Sequence, residues 1–255
     1  MSTSPTESIS IKQKFPEISS FVLHILAMLF MLCDHLWATV ISGNDWLTCI
    51  GRLAFPIFAF LLVEGYFHTS DLKGYARRLF LFALLSEIPF NLAMGSSLFY
   101  PIHQNVLWTF LMALGFLHWN EKANASGKLW KRIAVGILSV VLGYLAGILT
   151  MADFYQAGIL TVLVFYFFRG NTWQKRVGQL LCLWYLNVEM LSGFAYELHV
   201  FGETIFLTRQ GLALVALLPI WLYRGRQGYH SKGFRYFCYA FYPAHLLILG
   251  LLKFL

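Results

Sequence analysis

An aspartate and a histidine stand side by side, Asp34-His35, near the middle of an apolar run from Phe21 to about Ile41. A helix needs about 20 mostly apolar residues to cross a bilayer core, so this run has the length of a transmembrane span. An aspartate at the centre of a span costs about 2.5–3.5 kcal/mol on insertion scales. Two ionisable neighbours at that depth make Asp34-His35 the expected centre of the chemistry. Adjacent side chains on a helix point about 100° apart, so Asp34 is not simply the carboxylate that orients His35. His24, about three turns earlier on the same face, lies nearer the other end of the run. For both histidines, plain helix packing is the competing reading.

The rest of the chain has the same character. Of its 255 residues, 58% are hydrophobic and 12% charged, against about 25% charged in soluble domains. The expected fold is all-α, a polytopic transmembrane helical bundle of about nine spans. A short polar cytoplasmic segment, 1–20, precedes a single membrane domain, 21–255. The first run is expected to be a retained helix, because a signal peptide has a shorter apolar core and a small-residue cleavage site. Polar loops are expected at Asn120–Arg132, at Ser192–Thr208 (with a short re-entrant or interfacial piece) and at Arg224–Arg235. The four cysteines have no metal or redox spacing, and neither a disulfide nor a metal site is expected.

The net charge of +7 does not call for a nucleic-acid partner. With the N-terminus in the cytoplasm, all 19 Lys and Arg except Arg52, Arg209 and Lys253 fall in inside segments. This matches the positive-inside rule and predicts an N-in, C-out protein. Asp34, His35 and Glu87 then lie in the outer half or near the middle. Arg52, Gln104, Asn105 and Asp153 lie near the outer ends, His245 near mid-depth, and Glu64, His68, Arg77 and Arg78 on the cytoplasmic side. Polar groups running from face to face suit a protein that moves a group across the membrane.

Several of these have ordinary explanations too. Glu64 and His68, four apart on one helix face, can simply close a span. Pro89, beside Glu87, frees a helix carbonyl, and Pro56 and Pro243 are expected to do the same; such kinks serve packing as well as sites. Asp153 can be a solvated turn residue. The basic clusters are first of all topogenic, although arginine is suited to phosphate.

Stretches spread over nearly the whole chain resemble the TraX family. They are Met31–Leu36, the long Gly51–Thr69, Arg77–Leu79, Ser86–Asn91, His103–Val106, Asp153 with Gly158, and Phe241–Leu246. The best-known member of that family acetylates the N-terminus of F-type pilin. The resemblance implies a bacterial inner-membrane acetyltransferase that takes acetyl from cytoplasmic acetyl-CoA and delivers it to an acceptor outside, a protein N-terminus or a glycan. It leaves room for a homo-oligomer. On this reading His35 is general base or transient acyl carrier, oriented by Glu87 or Asp34. Gln104, Asn105 and Arg52 are oxyanion donors. Arg52, Gln104 and Asn105 also contact the acceptor, with Glu64, His68, Asp153 and His245. Arg77, Arg78, Arg226 and Tyr242 hold the donor. Two other classes stay open: a proton-coupled transporter, which also wants intramembrane Asp, Glu and His, and a non-catalytic assembly factor for a pilus or other surface appendage.

Overall fold

Polar side chains cap the helices where loop gives way to span. Ser19 caps α1 (Ser20–Thr39) by accepting from the Val22 N–H. Asp71 caps α4 (Leu72–Phe90), Asn105 caps α5 (Val106–Ala125) and Ser231 caps α10 (Lys232–Leu252), at 2.8, 3.1 and 3.0 Å. Each satisfies an N–H that the first turn leaves without a helical partner. These elements come from a computed structural model that describes residues 17–200 and 202–254. Lys12 and Lys14, with most of the segment expected over 1–20, lie outside the described residues.

The second apolar run breaks at Arg52-Leu53 into a short α2 (Asp45–Gly51) and α3 (Ala54–His68). Pro56 falls in the first turn of α3, where its missing N–H is harmless, so it starts a helix instead of kinking one. α3 is the central helix. Phe55, Ile57, Ala59, Leu61, Leu62 and Val63 are all buried, against α1, α5 and α7 (Tyr155–Phe167). α6 (Leu129–Thr150) is peripheral, with Ile133, Ile137, Val141, Leu145 and Leu149 on an exposed apolar stripe suited to lipid. Its Gly147 lets α7 close in, since a Cβ there would strike the Tyr155 carbonyl. Among the described residues, five stretches are long and apolar enough to cross a membrane: Ser20–Thr39, Asp45–His68, Leu72–Gly95, Leu129–Thr150 and Lys232–Leu252.

Three features differ from the sequence reading. α5 continues to Ala125, so the loop expected over Asn120–Arg132 shrinks to residues 126–128. The polar residues there are bonded helix residues: Asn120 donates to Ser139 Oγ (2.7 Å), and Glu121 accepts from Tyr166 (2.6 Å). Second, the stretch at 192–208 holds an antiparallel hairpin, β1 (Ala195–Val200) and β2 (Glu203–Thr208), so the fold is helical with one small sheet. Third, α4 runs on as a wide π turn, Asn91–Gly95, just after Pro89. α8 (Trp173–Trp184) ends the same way at Tyr185–Met190. An eight-residue 3-10 stretch, Arg209–Ala216, then leads into α9 (Leu217–Leu222).

Candidate functional site

α10 returns the C-terminal end of the chain against α1 and α4, which brings His245 to His35 across 210 residues of sequence. Their rings lie parallel, 6° apart, with His35 Nδ1 2.6 Å from His245 Nε2. His245 is buried, and its Nδ1 stands 2.7 Å from the Phe241 carbonyl. A carbonyl can only accept, so Nδ1 of His245 carries hydrogen, and in a neutral ring Nε2 is then the acceptor. His35 Nδ1–H must donate to it. The remaining lone pair, on His35 Nε2, is available as a base.

Neither carboxylate expected to orient His35 touches it. Asp34 accepts from Thr48 (2.7 Å) and pairs with Arg52. Arg52 also donates to Gln210 (3.2 Å), which donates to Asn187 (2.9 Å). This network closes because Gly51 has no side chain: a Cβ there would overlap Asp34. Glu87 accepts from Trp108 (3.0 Å) and from Asn105, while its other oxygen is buried without a partner. Both carboxylates are spent on helix-to-helix bonds, and His245 takes the role foreseen for them.

Two cavities flank the histidine pair. The one at the end that the charge pattern predicts to face outward, called the outer cavity below, is about 420 Å³ and is lined by His35, Asp34, Arg52, His103, Asp153 and Arg209 among others. The other, about 460 Å³, lies toward the end that carries most of the basic residues, and its wall includes Glu64, His68, Arg78, Arg235 and Tyr239. Met31, Phe58, Val106, Phe110 and Tyr242 line both, so the cavities abut at one mostly apolar neck, the wall they share. His35 stands on the outer side of that neck.

The expected contact residues divide accordingly. Arg52 and Asp153 face the outer cavity; Tyr242 is at the neck; His245 backs His35. Glu64 and His68 are at the far end of the inner cavity, where Glu64 makes a two-pronged pair with Arg169 (2.7 and 3.3 Å). They are therefore away from the outer cavity where an acceptor was expected to meet them. Gln104 donates to the Pro101 carbonyl (2.8 Å), and Asn105 spends its amide on Ala83 and Glu87. Neither lines either of these two cavities. Arg78 lines the inner cavity. Arg77 and Arg226 do not: Arg77 is exposed, and Arg226 reaches Glu17 at 3.4 Å on the surface.

Other residues here were not singled out as site residues by sequence. His103 donates to Asp153 at 3.2 Å between Phe90 and Tyr155. That bond raises its pKa against the opposing effect of burial. Arg209 holds its guanidinium over Trp37 (4.6 Å) and Phe194 (5.4 Å). Tyr196 of the hairpin contacts Asp45 (3.3 Å) and Cys49 (3.4 Å) of α2, fastening the hairpin beside the outer cavity. Arg235 went unmarked because it stands in a basic cluster that topology alone accounts for. The exceptional outer position of Arg209 among basic residues was a usable signal.

Comparison with known proteins gives two matches. The family model described as TraX protein matches residues 19–253. Over 247 residues the chain is 28% identical to the probable fimbrial assembly protein FimC, serogroup H1, of Dichelobacter nodosus, spanning 91% of this chain and 95% of that one. No solved structure matches.

Proposed function

This chain belongs to the TraX family, and from that premise we propose that it is a transmembrane acetyltransferase of the bacterial cytoplasmic membrane. The donor is acetyl-CoA from the cytoplasm, entering the inner cavity. The acceptor is an amine or hydroxyl presented from outside, entering the outer cavity. The observation that carries this reading is the pair of cavities abutting at one neck, with His35 beside it. A transporter needs a route for its whole substrate; acyl transfer needs only a gap that passes a thioester arm.

His35 Nε2 takes the proton of the acceptor as its nitrogen or oxygen attacks the thioester carbonyl. The new C–N or C–O bond forms, the C–S bond breaks, and His35 returns the proton to the departing sulfur. His245 holds His35 in the required tautomer, and the Tyr242 hydroxyl, at the neck, is the donor for the developing oxyanion. Arg78, with a buried Nε that has no partner, fits a phosphorylated donor.

For the acceptor we favour the N-terminus of a pilus or fimbrial subunit. The family archetype and the name of the Dichelobacter relative both concern surface filaments. The relative's name also supports a second reading, an assembly factor with no catalysis. Purified protein in nanodiscs, supplied with acetyl-CoA and a synthetic subunit N-terminal peptide, separates them. We expect peptide-dependent release of free CoA thiol, falling at least about a hundredfold in His35→Gln. A protein that neither binds nor consumes acetyl-CoA would be the assembly factor, and wild-type turnover in His35→Gln would make His35 structural.

A further inference from the structure

The inner cavity holds two arginines from different helices that no carboxylate among the described residues neutralises. Arg78 of α4 and Arg235 of α10 both line it. In each, Nε is buried without a partner, and neither guanidinium pairs with a carboxylate among the described residues. The one acidic side chain on this cavity, Glu64, is occupied by Arg169. A buried guanidinium Nε–H with no acceptor is costly until one is supplied, and the planar fork of arginine suits phosphate oxygens.

The position of this pair along α10 narrows the ligand. Arg235, Cys238, Tyr239 and Tyr242 all line the inner cavity, at the i, i+3, i+4, i+7 spacing of a single helix face. The face continues to His245, behind His35. Arg235 and His245 are about ten residues apart, which is about 15 Å at helical rise. The pantetheine arm of a coenzyme A thioester, from diphosphate to sulfur, is about twelve bonds long. That equals about four peptide residues, or about 14 Å extended. Phosphate at Arg78–Arg235 therefore delivers a thioester to the neck beside His35.

We infer that Arg78 and Arg235 clamp the diphosphate of the coenzyme A donor, and not its 3′-phosphate. The inference rests on the acyl-transfer reading above and adds Arg235 and the identity of the phosphate. The test is calorimetric titration of the full-length protein in nanodiscs with CoA, 3′-dephospho-CoA and pantetheine. Arg235→Gln should weaken CoA and dephospho-CoA alike, by between about tenfold and a hundredfold, and leave pantetheine unchanged. Arg235→Lys should recover part of the loss, and Arg132→Gln, on the distant α6, should have no effect. Weakened CoA with unchanged dephospho-CoA would assign the pair to the 3′-phosphate and overturn the inference. Unchanged affinity for both, or an equal loss for pantetheine, would remove phosphate from the site. Wild-type protein that binds no CoA would instead sink the acyl-transfer reading itself.

Discussion

On the acyl-transfer reading, His245 decides which nitrogen of His35 can act. With the Phe241 carbonyl fixing one end of the relay, the lone pair of His35 is left on Nε2. His245→Phe keeps an aromatic ring in place but removes the acceptor, so His35 is free to adopt the wrong tautomer. Turnover should fall by about a hundredfold with the donor KM unchanged, since a ring in the wrong tautomer cannot act as the base, and general-base catalysis is worth about 10²–10⁴-fold. His245→Gln, whose carbonyl can still accept, should recover part of it. Steady-state kinetics on both variants checks this, and equal turnover in wild type and His245→Phe would reduce His245 to packing. This pairing was half legible in the sequence. Depth put His35 and His245 at similar levels, but a contact over 210 residues follows from how α10 docks, which no local pattern encodes. The carboxylates misled for a related reason: burial makes them conspicuous, yet buried carboxylates are just as useful for tying helices together.

At the level of elements, the long apolar runs around α1, α3, α4 and α10 could be read directly, because hydrophobic length is the strongest signal a membrane chain carries. What could not be read is where polar residues continue a helix. Asn120 and Glu121 look like loop residues until α6 and α7 supply Ser139 and Tyr166 as partners. The hairpin was hidden because its apolar and polar residues fit an interfacial stretch equally well. The α1–α2 contact makes a sharper case. Gly51→Ala would drive a methyl into Asp34, forcing α2 away and loosening the Asp34–Arg52–Gln210 network. Overpacking of this kind costs about 1–3 kcal/mol. Thermal unfolding in detergent should show a lower midpoint for Gly51→Ala, while Gly43→Ala, with open space around its Cβ site, should match wild type.

For the whole molecule, the charge asymmetry read from the sequence sets the expected orientation. Arg169 joins Glu64, Arg176 reaches the Trp221 carbonyl and Arg226 meets Glu17 at one end. Arg52 joins Gln210, and Gln104 pairs with the Met151 carbonyl, at the other. The prediction is that the first end faces the cytoplasm. In a background without native cysteines, a cysteine at Ser126 should resist an impermeant thiol reagent added to intact cells and react after lysis. Strong labelling from outside would invert the protein and, with it, the direction of transfer.

The apolar neck between the two cavities has an electrical consequence. With both cavities filled by water, most of the membrane voltage would fall across the mostly apolar wall they share, at Met31, Phe58, Val106, Phe110 and Tyr242. Carrying a unit charge through that drop means about 2.3 kcal/mol of work per 100 mV. An acetyl group is neutral, and so is the arm that brings it. The phosphates of the donor and any charge on the acceptor stay on their own sides. On the acyl-transfer reading, then, transfer is electrically silent: the membrane potential would neither drive it nor oppose it, and the cell would run it without spending ion gradient.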